Sequence, residues 1–130
     1  HQRDRLQRVP GMVTLEEPVA LSEVMQRHSA PHTLVVVDCL TLWLTNLLMP
    51  AQGVPLDAEG PIQELCRAIE QARGPVVLVG NEIGLGVIPM GREVRAFVDA
   101  LGRLNQAVAG ACARVTLMAA GLPLTLKDPG

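Results

Sequence analysis

The sequence predicts an α/β domain with a mostly parallel sheet, and three observations lead there. Two apolar runs, Leu34-Val35-Val36-Val37 and Val76-Val77-Leu78-Val79, are rich in β-branched residues and too continuous for strands with one wet face. Stretches with apolar residues at helical spacing separate them, and strands alternating with helices favour parallel pairing. Each run closes on polar residues, Asp38 after the first and Gly80-Asn81-Glu82 after the second. In open α/β sheets the carboxyl ends of the strands are where ligands sit.

Length and composition agree. The 130 residues suit one domain, 1–130, and no linker or internal repeat divides them. Hydrophobic residues make up 48% and charged residues 18%, which argues against disorder. A net charge of -2 gives no electrostatic case for nucleic acid or an anionic membrane. Trp43 and Phe97 are the whole aromatic complement, too few for a base-stacking platform. No apolar run has the length of a membrane span, and no signal peptide is visible. The three cysteines, Cys39, Cys66 and Cys112, have no C-x-x-C spacing; they read as buried reduced thiols of a cytoplasmic protein.

In order along the chain, His1 to Arg8 is polar and Arg-rich and stops at Pro10-Gly11. Met12-Val13-Thr14-Leu15 has the composition of a short strand. Glu16-Glu17-Pro18 opens a helix to about His28. The strand at 34–38 follows, then a helix from Leu40 to Met49, apolar nearly all round and closed by Pro50. Ile62, Leu65, Cys66 and Ile69 mark a helix from about Ala58 to Arg73. The second strand follows at 75–79, then a glycine-punctuated loop, Ile83 to Pro89. A helix from about Gly91 to Ala109 carries an apolar stripe of Val94, Phe97, Val98, Leu101, Leu104 and Val108. Arg114–Ala119 and Leu122–Leu126 read as a third and a short fourth strand.

The chemistry-bearing residues gather at the strand ends. Asp38 is placed to hold a Mg²⁺ on a nucleotide, as a Walker-B acid does, or to cap the helix that follows. Parallel strands would set Asp38 and Glu82 on one edge, where they could share Mg²⁺ or position an attacking hydroxyl. Gly84 and Gly86 allow close approach of backbone to a ligand, or simply make a tight turn. Arg92 and Arg95 stand near that loop as phosphate contacts, or belong with Asp99 and Arg103 to a solvated helix face. Asn105 falls on the apolar stripe, and a buried amide must be hydrogen-bonded. It either pins the Asn81–Pro89 loop or meets another subunit. No G-x-x-x-x-G-K-[ST] pattern occurs, and Lys127, the one lysine against ten arginines, has no glycine loop before it.

Four blocks together carry a resemblance: Val36 to Leu48, Asn81 to Pro89, Gly102-Arg103-Leu104-Asn105-Gln106, and Ala120 to Leu124. They resemble the adenosylcobinamide kinase/adenosylcobinamide-phosphate guanylyltransferase family of cobalamin synthesis, in order and over essentially the whole chain. The resemblance implies a RecA-like P-loop NTPase fold and a homo-oligomer. It implies phosphorylation of the corrinoid adenosylcobinamide by ATP or GTP, then GMP transfer from GTP through a guanylylated histidine, with Mg²⁺. By position, His1 is that histidine, ahead of Arg3, Arg5, Arg8 and the block Thr14-Leu15-Glu16-Glu17-Pro18. Gln2, Arg3, Asp4, Arg5, Glu16 and Asp38 fall where the family contacts the guanine nucleotide, with Asp38 also the metal ligand. Beside what the resemblance implies, Asn81, Glu82, Gly84, Gly86 and Arg92 stand as candidate loop and phosphate contacts. Pro89 is followed by Met90-Gly91 where the family usually has Glu-Asn, so no role is assigned to an acid there. The family's first strand and P-loop are expected upstream of His1, and residues 1–130 alone are expected to turn over little substrate. The contrasting expectation is a non-catalytic nucleotide-binding or oligomerisation module on the same fold.

Overall fold

The computed structural model describes residues 12–17, 19–50, 53–83 and 91–130. Its elements are α1 (Leu21–His28), β1 (Val35–Asp38), α2 (Leu40–Leu48), α3 (Glu59–Glu70), β2 (Val76–Val79), α4 (Arg92–Ala111), β3 (Val115–Ala119) and β4 (Leu122–Lys127). β1 and β2 pair in parallel with Val35 opposite Val76 and Asp38 opposite Val79. The α/β class and the parallel pair follow the sequence reading. The third and fourth strands do not extend that pair: β3 and β4 form a separate antiparallel hairpin, so the described residues hold two two-stranded sheets. The cause is local. Ala120 and Gly121 both adopt positive φ, 54° and 75°, the conformation a two-residue hairpin turn requires.

The helices cover one face of β1–β2. Val37 is buried, and Val35, Val76 and Leu78 pack with it against the helical core. That core takes Met25 from α1, Leu40, Trp43, Leu44 and Leu47 from α2, Ile62, Leu65 and Ala68 from α3, and Ala100, Leu101, Leu104 and Val108 from α4. Each fully buried Leu contributes about 1.5–3 kcal/mol relative to an exposed one. On the other face Val36, Val77 and Val79 are exposed, so the strands are not covered on both sides as their apolar runs suggest. Leu42 is likewise exposed on an otherwise buried α2, and Val94 is exposed at the start of α4. Met12–Leu15 forms no strand; α1 begins at Leu21, not Glu16.

Three contacts fix the base of the parallel pair. The buried Ser29 hydroxyl accepts a hydrogen bond from the Arg73 N–H at 2.7 Å. Val35 N–H donates to the Pro75 carbonyl at 3.0 Å. Gly74 lies directly against the Ala30 carbonyl, where any Cβ would collide with backbone. On the amino side of α1, the Glu17 carboxylate accepts from the N–H groups of Val19 and Ala20, both at 3.1 Å. Those two donors hold its carboxyl below its ordinary range. Their support is therefore present at neutral pH and is lost as pH falls through the lowered value. Among the described residues no helix is long and apolar enough to cross a membrane.

Candidate functional site

The carboxyl end of β1–β2 is the candidate site. Asp38 is the last residue of β1 and is exposed; its register partner is Val79, the last residue of β2. Side chains alternate along a strand, so Asp38 shares the open face with Val36 and lies opposite the helical layer. Asn81 and Glu82 follow β2 at the same edge, both exposed. Parallel pairing thus puts Asp38 and the segment that leaves β2 at the same edge.

The helix after Asp38 starts from Cys39 at its N-cap position, with no side-chain hydrogen bond there. Asp38 stands one residue before that N-cap position. The Asp38–Cys39 peptide bond is cis.

Two flanking helices tie down the β2 end. Asn81 N–H donates to the Thr41 Oγ1 at 3.1 Å. Asn105 Nδ2, from α4, donates to the Asn81 carbonyl at 3.1 Å. The polar residue on the apolar stripe of α4 is therefore explained: it pins the segment after β2. Thr41 was not among the residues singled out from sequence. Its signal was a hydroxyl in the first turn of a nearly all-apolar helix, three residues beyond the strand-end acid.

Glu16 is exposed in the extended segment before α1. Closer to α1, the Val19 carbonyl accepts a hydrogen bond from Trp43 Nε1 of α2 at 2.9 Å. Arg92 is the first residue of α4 and is exposed. His1, Gln2, Arg3, Asp4, Arg5, Gly84 and Gly86 lie outside the described residues. Of the arginine stripe, Arg103 pairs with Glu59 of α3 at 2.9 Å, a tie between helices on an exposed surface.

Among the described residues no group of three or more His, Cys, Asp or Glu side chains gathers as a metal cage. This donor set still suits Mg²⁺, which is held through one or two carboxylates together with substrate phosphates and water. The cysteines fit a structural part. All three are free and half-buried, and burial pushes the Cys66 and Cys112 thiols up, so both stay protonated at neutral pH. A cavity of about 400 Å³ lies elsewhere, lined by Leu48 and Met49, Asp57 and Ala58, and the α4 residues Glu93, Phe97, Ala100 and Arg103 among others. Neither strand-end acid lines it.

Comparison with known proteins places the chain in a family. Residues 1–126 match the family described as cobinamide kinase / cobinamide phosphate guanyltransferase. The bifunctional adenosylcobalamin biosynthesis protein CobP of Pseudomonas aeruginosa is 46% identical over 114 residues, covering 88% of this chain and 65% of its own. The bifunctional adenosylcobalamin biosynthesis protein CobU of Escherichia coli is 32% identical over 125 residues, covering 88% of this chain and 69% of its own. The Salmonella typhimurium protein of the same name is 33% identical over 109 residues, covering 75% of this chain and 60% of its own. The chain thus spans about two thirds of the length of the relatives it matches.

Proposed function

The chain belongs to the cobinamide kinase / cobinamide phosphate guanyltransferase family, and from that premise we propose that it is the larger part of a bifunctional, cytoplasmic enzyme of cobalamin synthesis. In this reading it phosphorylates adenosylcobinamide with ATP or GTP and then transfers GMP from GTP to the adenosylcobinamide phosphate. The observation that carries the reading is the parallel β1–β2 pair, which sets Asp38 and Asn81-Glu82 on one rim.

The residues take the following parts. A His1 ring nitrogen attacks the α-phosphorus of GTP; a P–N bond forms, the α–β P–O bond breaks, and pyrophosphate leaves. A phosphate oxygen of the corrinoid then attacks the same phosphorus and His1 departs, so one difficult transfer becomes two easier ones. Arg3 and Arg5 offset charge on the leaving pyrophosphate, and Gln2, Asp4 and Glu16 contact the guanine nucleotide. Asp38, with Glu82 as a second carboxylate, would hold a Mg²⁺ that, when bound, neutralises phosphate charge. Asn81, Gly84, Gly86 and Arg92 contribute from the segment between β2 and α4. The 130 residues contain no G-x-x-x-x-G-K-[ST] pattern. Phosphate-cradling amides and a P-loop lysine therefore come, in this reading, from chain outside them, and residues 1–130 alone have little activity. Assembly into a homo-oligomer belongs to the same reading and is supported by the apolar side chains exposed on β1–β2 and on β4.

The test is to incubate the intact protein with Mg-GTP and seek an acid-labile GMP adduct by mass spectrometry. An adduct on the wild type that disappears on His1→Ala is expected. No adduct on the wild type contradicts the guanylyl-transfer step and favours a non-catalytic module with this fold.

A further inference from the structure

We propose that Thr41 and Asn105 are positioning residues that grip the Asn81 main chain from two helices and so fix where Glu82 stands relative to Asp38. The inference rests on the function proposed above, in which these two acids serve one nucleotide.

The grip acts on both sides of Asn81. The peptide entering it is held through its N–H by the Thr41 hydroxyl, and the peptide leaving it is held through its carbonyl by the Asn105 amide. A carbonyl only accepts, so the Asn105 group facing it is the NH₂. Its oxygen lies on the Gly80 side, 3.5 Å from where a Cβ on that residue would stand. With both peptides oriented, the direction in which the chain leaves for Glu82 is set.

The two anchors also connect the acids. Thr41 sits in the first turn of α2, which starts immediately after the Asp38–Cys39 peptide. A movement of Asp38 carries Thr41, and Thr41 carries Asn81. Asn105 joins the same residue to α4, whose neighbours Leu101, Leu104 and Val108 are buried in the core. The rim is thereby referenced to the buried core. Positioned groups matter because a displacement of about 1 Å can cost on the order of 100-fold in rate.

The experiment uses the intact protein and compares Thr41→Val, which removes the hydroxyl at nearly constant size, with Thr41→Ser, which keeps it. Asn105→Ala removes the donor, and Asn105→Asp keeps the shape but sets a second acceptor against the carbonyl. Nucleotide kcat and KM are read with thermal stability. Thr41→Val and Asn105→Ala are expected to lower kcat by about 10- to 100-fold with KM little changed, while Thr41→Ser stays near wild type. Asn105→Asp is expected to be weak at neutral pH and to recover as pH falls, when its protonated carboxyl can donate. The double variant should be little worse than the poorer single one, because both act on one residue. An active wild type whose Thr41→Val and Asn105→Ala variants keep its kcat overturns this proposal alone. So does a Thr41→Ser variant as weak as Thr41→Val. A wild type with no nucleotide turnover overturns the functional reading and this proposal together. Amide hydrogen exchange on the wild type supplies a reading independent of any variant's folding. The Asn81 amide should be protected although it lies beyond the strand, and exchange at an open-loop rate overturns the grip itself.

Discussion

β1–β2 and β3–β4 are strand pairs of similar size held by contacts of different range. The parallel pair depends on residues far apart in the chain: Ser29 with Arg73, Gly74 with Ala30, Thr41 and Asn105 with Asn81. The hairpin has its own ladder and a two-residue turn, and among the described residues an anchor outside it. That anchor is Lys127, whose Nζ donates to the carbonyls of Ala109 and Gly110 at the end of α4. The difference teaches where a perturbation travels. A change under the parallel pair should reach the acids on its rim, whereas a change in the hairpin should stay local.

The largest expected effect tests the first half of that contrast. Gly74→Ala places a methyl group into the Ala30 carbonyl, so either the loop or the β2 start must move. A loss of about 3 kcal/mol is expected, near the upper end for overpacking, read from the urea midpoint of the intact protein. Nucleotide affinity should fall with it; a destabilised variant with unchanged affinity would uncouple base from rim.

Smaller effects test the hairpin half. Lys127→Met removes a cation from the carbonyl end of α4 and should cost about 0.3–1 kcal/mol, less at high salt. Nucleotide turnover should be unchanged, and a fall in turnover would show the hairpin coupled to the site after all. The smallest effect has the opposite sign. Ala120 has φ 54° without being glycine, a conformation that costs an ordinary side chain about 1–2 kcal/mol and that asparagine tolerates better. Ala120→Asn should therefore raise the melting temperature by a few degrees, about 0.5–1 kcal/mol, and a fall would contradict the turn geometry.

The same contrast explains what the sequence could convey. The strand runs and the apolar spacing of α3 and of most of α4 are one-dimensional patterns, and the elements they mark are present. An apolar run does not state which of its faces has a partner, so the exposure of Val36 and Val77 was not legible. Both strands of the hairpin were legible, but their pairing with each other was not, because alanine is an unusual residue for a left-handed turn position and Ala120 gave no warning. The part of Thr41 depends on which face of α2 meets the end of β2, a fact of packing and not of spacing. Asn105 was legible because an amide on an apolar stripe demands a partner, and Asn81 supplied one.

The central claim is that the rim of the parallel pair, with Asp38 at its end, receives the Mg-nucleotide. Calorimetric titration of Mg-GTP into the intact protein and its Asp38→Asn variant tests it most directly. At least about a tenfold loss of affinity, roughly 1.4 kcal/mol, is predicted, with the melting temperature unchanged. Equal affinity in the two proteins, or an unfolded variant, would return Asp38 to a structural part and remove the rim from the chemistry.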